Sequence, residues 1–140
     1  MSVAWIISAL ALAFGAFLGA RGLLDPHWAA RLVRLKEDEQ GGGVAEFRAT
    51  YGGVFFGLHA AALLLVLYYL RGGAELPGVA ATGAVFALAA GWAGAASGRL
   101  ISILRDPGAN TAFNRLSVAV EAAIALAIGA PWALWLLGGV

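Results

Sequence analysis

The chain contains no cysteine, which excludes disulfides, thiolate metal sites and cysteine nucleophiles. Charge is scarce. Only 12% of residues are Asp, Glu, Lys or Arg, where a soluble domain carries about 25%. Lysine is nearly missing, with Lys36 alone beside the arginines. The net charge of +1 provides no basic field and speaks against nucleic acid as a partner. Enzyme signatures are missing as well: His-Glu-x-x-His, Gly-x-Ser-x-Gly and a phosphate-cradling loop. Gly41-Gly42-Gly43 lacks the following Lys-Ser/Thr. His27 and His59, the only histidines, make a poor metal set. Nothing here implies a cofactor or a metal, and the balance leans away from an enzyme.

What the chain does have is apolar surface. Apolar residues make up 61% of the 140, against roughly 45–50% in soluble domains. A soluble fold of this size could not hide that much, so lipid is the expected solvent. Four stretches reach the length of about 20 apolar residues that a spanning helix needs. They run over about 3–24, 44–70, 78–104 and 111–137. Asp25-Pro26, Gly41-Gly42-Gly43, Arg71-Gly72-Gly73 with Pro77, and Asp106-Pro107-Gly108 punctuate them. The fold class expected is all-α: one polytopic membrane four-helix bundle over residues 1–140. The first stretch lacks the positive start of a signal peptide and is longer than its apolar region, so it reads as a retained helix.

Arginine and lysine set the expected orientation. The first and third connections with their helix ends hold Arg21, Arg31, Arg34, Lys36, Arg48, Arg99, Arg105 and Arg115; the opposite end holds Arg71. Both termini are therefore expected outside and the basic loops in the cytoplasm. Arginine over lysine, with abundant Ala and Gly, fits a GC-rich bacterial genome and hence a bacterial inner membrane. In the first connection, Asp25 can cap a short helix with Pro26 at its first position. Trp28, Leu32 and Leu35 share one face of it, and Arg31, Arg34 and Asp38 another. This predicts an interfacial amphipathic helix over about 26–35. The run Lys36-Glu37-Asp38-Glu39-Gln40 then reads as a solvated tail.

A short repeat links the halves. Leu23-Leu24-Asp25-Pro26 resembles Leu104-Arg105-Asp106-Pro107, and Phe47-Arg48 resembles Phe113-Asn114-Arg115. Two helical hairpins related by an axis along the membrane normal would produce it.

Ionisable groups at membrane depth are costly and mark candidate sites. His59 and Glu121 both lie about 15–20 Å from the basic end at 1.5 Å per residue. Arg48, Gly52, Phe55 and His59 follow i, i+4, i+7, i+11 spacing. Asn114, Ser117 and Glu121 share a face, as do Arg99, Ser102 and Asp106. These stripes predict a cytoplasm-facing polar cleft floored by His59 and Glu121. Ligand-binding candidates are Arg48, Tyr51, Gly52, His59, Arg99, Ser102, Asn114, Arg115, Ser117 and Glu121. The bland alternative is that the arginines snorkel, pair with Glu46 and Asp106, or hold anionic lipid. Trp5, Trp132 and Trp135 read as interface anchors.

Glu46-Phe47-Arg48-Ala49-Thr50-Tyr51-Gly52-Gly53 and Gly98-Arg99-Leu100-Ile101-Ser102 with Asp106 resemble a family of small bacterial four-helix membrane proteins of unknown function. The resemblance covers most of the chain. It implies location and topology, and no activity. The membrane-depth His and Glu also look, by residue type alone, like sterol-isomerase and sigma-receptor-like bundles. Three functions follow as expectations, beside a fourth, transport, for which four helices would require a dimer. The cleft binds a lipid or a small amphipathic or anionic molecule. Alternatively, the smooth Gly91, Ala93, Gly94, Ala95, Ala96 region serves a homodimer or a larger membrane complex. In the third, His59 and Glu121 act as an intramembrane acid–base pair.

Overall fold

The computed structural model describes residues 2–34, 42–72 and 75–137. Lys36 to Gly41, and with them the predicted solvated tail and Leu35, lie outside the described residues. The described chain is all-helical: α1 (Ser2–Leu24), α2 (Pro26–Val33), α3 (Gly42–Phe47), a π-helical segment (Arg48–Val54), α4 (Phe55–Leu70), α5 (Glu75–Arg105) and α6 (Ala112–Leu136). Four spans, Val3–Leu24, Gly43–Leu70, Gly78–Arg105 and Ala112–Leu136, are long and apolar enough to cross a membrane. The chain is a multi-pass membrane protein. Leu10, Leu64, Val79 and Leu126 are each more than 60% exposed, which lipid tolerates and water would not.

Local chemistry sets the helix ends. Asp25 caps α2, its carboxylate accepting from the Trp28 amide at 3.0 Å, with Pro26 in the first turn. Thr111 caps α6 by accepting from the Asn114 amide at 3.1 Å. α5 begins earlier than the punctuation suggested, because Pro77 falls in its first turn, where a missing N–H is harmless. The second span differs more. Its expected single helix is interrupted by the π segment, within which Gly52 and Gly53 stand side by side.

The chain divides into two compact units, residues 1–11 with 65–140 and residues 12–64. In the first, α5 and α6 form a tight antiparallel hairpin. Ala81, Val85, Ala96, Ile124 and Ile128 are buried, and a Cβ on Gly129 would stand 3.2 Å from that of Ala89. Phe86 packs on Trp132, and Trp5 on Tyr69, each pair with ring centroids 4.8 Å apart. Trp5, expected as an interface anchor, is buried in packing, while Trp135 is well exposed.

Pro131 lies inside α6 and has no N–H to give its ladder. Beside that break, the fully buried Ser8 hydroxyl donates to the Ile128 carbonyl at 2.8 Å. Hydroxyls commonly satisfy backbone groups near a membrane proline. Ser8→Ala is expected to cost about 1 kcal/mol, read as a lower unfolding midpoint in detergent. An unchanged midpoint would show that the bond contributes nothing.

In the second unit, the lower part of α1 packs against the π segment and the start of α4. α2 rests on α3 through a cluster of Ala29, Ala30 and Phe47, with Trp28 and Val33 against it. The buried face of α2 is Pro26, Ala29 and Ala30. Leu32, one turn beyond Trp28, is 44% exposed. The small alanines win that face because they admit the bulky Phe47.

The repeat is partial in chemistry. The Asp25 amide donates to Arg21 O and the Asp106 amide to Ser102 O, both at 2.8 Å, so both aspartates close a last helical turn. Their carboxylates then diverge. Asp25 caps α2 and approaches Arg21 at 3.5 Å, whereas Asp106 takes the Ser102 hydroxyl.

Candidate functional site

The first unit holds an ion-pair network between α5 and α6. Arg99 donates from Nη2 to Glu121 Oε1 at 2.8 Å, and from Nε to both carboxylate oxygens at 3.2 Å. Its Nη1 reaches Asn114 Oδ1 at 3.5 Å, and Asn114 Nδ2 donates to Ala109 O at 2.7 Å. The Glu121 side chain is 11% exposed and that of Arg99 33%. The antiparallel hairpin explains the meeting. Each residue stands a few turns from the same connection, on facing helix surfaces. The two predicted stripes therefore close on each other through Arg99, Asn114 and Glu121. Ser102, Ser117 and Arg115 do not join them. Ser102 bonds Asp106, Ser117 donates to Phe113 O at 3.0 Å, and Arg115 donates to Asn110 Oδ1 at 2.6 Å. With both oxygens held by a guanidinium, Glu121 is placed to lock a hairpin.

The second unit holds the other stripe, and it is a packing seam. Gly52 is buried, and a Cβ there would come within 2.5 Å of the Leu23 Cα. A Cβ on Gly19 would meet the Phe56 backbone nitrogen at 2.3 Å, and one on Gly15 the His59 Cδ2 at 2.1 Å. Gly22 faces the Tyr51 carbonyl at 2.9 Å in the same sense. α1 thus presents Gly15, Gly19 and Gly22 as a groove into which the partner backbone sinks, the small-residue contact typical of membrane helices. His59 is 1% exposed. Its Nδ1 donates to Phe55 O at 2.8 Å, and its ring lies 4.3 Å from that of Phe55. Because a carbonyl only accepts, this bond fixes the proton on Nδ1. His59 and Gly52 are accordingly part of the helix contact.

Sequence reasoning passed over the three α1 glycines. Their signal was legible, since Gly15-Ala16-Phe17-Leu18-Gly19 is a small-x-x-x-small pattern continued by Gly22. On α4, by contrast, Gly57 meets nothing within 4 Å.

One feature of the second unit is open. A shallow groove of about 520 Å³ is lined by Leu23, Val44, Ala45, Arg48, Ala49 and Gly53. Among the described residues, Arg48 is its sole charged lining residue. Arg48 Nη1 donates to the Leu23 carbonyl at 2.6 Å, so a cation satisfies one of the last carbonyls of α1, where the helix dipole is negative. The guanidinium is exposed and has further donors beyond that one. Tyr51, expected as a ligand contact, instead packs its ring on Phe47 at 5.1 Å. Thr50 donates to Glu46 at 2.6 Å. Val44 and Ala45, which carry no polar signal, were not foreseen as groove walls. Among the described residues, no group of His, Asp and Glu could hold a metal.

Compared with known proteins, the chain matches no family profile, no curated protein and no solved structure.

Proposed function

We propose that this is a phospholipid-binding protein of the bacterial inner membrane, with its basic ends in the cytoplasm and both termini outside. The groove beside Arg48 takes an acyl chain against Leu23, Val44, Ala45, Ala49 and Gly53, and the guanidinium takes the lipid phosphate. The observation that carries this reading is one exposed arginine on the rim of a groove whose other described lining residues are apolar. Apolar walls match a hydrocarbon chain, and a fork of N–H donors matches a phosphate. In the sequence, eight of the nine basic residues fall in or beside the first and third connections, which suits an anionic leaflet.

Gly53 supplies the test. Among the described residues, a Cβ there meets only the Arg48 carbonyl, at an unstrained 3.8 Å. Gly53→Leu is therefore expected to fill the groove without disturbing the fold. Displacing two chain methylenes, at about 0.8 kcal/mol each, should reduce retained phospholipid roughly tenfold. The measurement is native mass spectrometry of protein extracted from membranes. Wild-type protein without phospholipid, or equal retention by Gly53→Leu, would refute the reading. Arg48→Gln, which keeps a donor for Leu23 O, should abolish any preference for phosphatidylglycerol over phosphatidylcholine.

A further inference from the structure

The groove depends on the π segment. Arg48 and Gly53 are five residues apart and line the same groove. On an α-helix, at 3.6 residues per turn, five residues bring the chain about 140° round the axis, so the two would face apart. The i→i+5 bonding of a π-helix stacks such residues nearly one above the other. The segment holds one residue more than α geometry would use. It ends on a divided bond, with the Phe55 amide directed to both Thr50 O, five residues back, and Gly52 O, three back. Neither partner is the α-helical one. Gly52 and Gly53, without side chains to reorient, stand at the point where that extra residue is absorbed.

Resting on the lipid reading above, we propose that the extra residue is a loading device. When it migrates towards α3, each residue it passes turns by about 100°, so Arg48 swings off the groove and the bound lipid is free to leave. When it returns to Arg48–Val54, the arginine and the apolar walls are again in line. The contacts of Phe56 with Gly19 and of His59 with Gly15 keep their register, because they lie beyond Arg48–Val54, while Tyr51 and Gly52, inside it, adjust against Gly22 and Leu23.

Deleting Thr50 tests this. Thr50 is exposed and is not among the residues that line the groove. With one residue fewer, Arg48 and Gly53 stand four apart, about 40° round an α-helix, so the groove keeps its walls but has no extra residue to move. The deletion variant is expected to retain phosphatidylglycerol and to exchange it with labelled phosphatidylglycerol in nanodiscs at least about tenfold more slowly than wild type. Thr50→Ala, which keeps the residue count, should exchange at the wild-type rate. Equal exchange by wild type and the deletion variant would overturn the loading device. If wild type binds no phosphatidylglycerol, the lipid reading fails instead. Amide hydrogen exchange on the wild-type protein gives a readout that needs no variant. Amides 51–55 should slow when phosphatidylglycerol is added, and rates unaffected by the lipid would also overturn the proposal.

Discussion

Gly19→Ala is expected to destabilise the protein by about 3 kcal/mol, the upper end of ordinary overpacking. The added Cβ would lie 2.3 Å from the Phe56 nitrogen and 2.6 Å from its Cα. Those are backbone atoms, so relief requires α1 and the start of α4 to separate, loosening the whole glycine seam. Gly15→Ala makes a shorter contact, 2.1 Å, but its nearest neighbours are side-chain atoms of His59 and not backbone. Its cost should be smaller, and a second change, His59→Ala, should recover much of it. Gly57→Ala meets nothing within 4 Å, and should be neutral or stabilising by up to about 1 kcal/mol, since alanine favours helix over glycine. Unfolding in bicelles measures all three. Equal stability of Gly19→Ala and Gly57→Ala would mean that the close approach of α1 does not hold the unit together.

The second large effect concerns the charge pair of the α5–α6 hairpin. Arg99→Leu leaves the Glu121 carboxylate without its guanidinium in a site where its side chain is 11% exposed. Breaking a buried pair from one side costs about 3–5 kcal/mol, and the lower figure applies here because Asn114 remains nearby. Glu121→Leu should cost less. Arg99 is a third exposed and long enough to carry its charge towards the headgroups. The double change Arg99→Leu/Glu121→Leu should regain most of the loss, because apolar residues replace both charges together. A double variant as unstable as the sum of the singles would show that no coupling exists between the two residues.

His59 and Glu121, expected as a candidate acid–base pair, each have a hydrogen-bond partner within their own unit. Glu121 has both oxygens engaged by Arg99, and the His59 proton on Nδ1 is given to a carbonyl of its own helix. Residue type identified both as membrane-depth polar groups. It could not identify their partners, because a pattern read along one helix says which residues share a face and nothing about which face opposes it.

The sequence by itself determined the four membrane-spanning helices, their ends at Asp25, Thr111 and Asp106, and the short helix after Asp25. Long apolar runs, capping side chains and Gly-Pro punctuation are local signals, and backbone groups in lipid must bond within their own segment. The tertiary structure alone decided three things. Arg99 chose Glu121, because an antiparallel hairpin brings residues 22 positions apart face to face. The α4 stripe became a seam, because Gly15, Gly19 and Gly22 on another helix leave room for it. Arg48 and Gly53 came to line one groove, because the turn between them is π and not α. Hydropathy reads the same for both kinds of turn, so only the folded backbone could distinguish them.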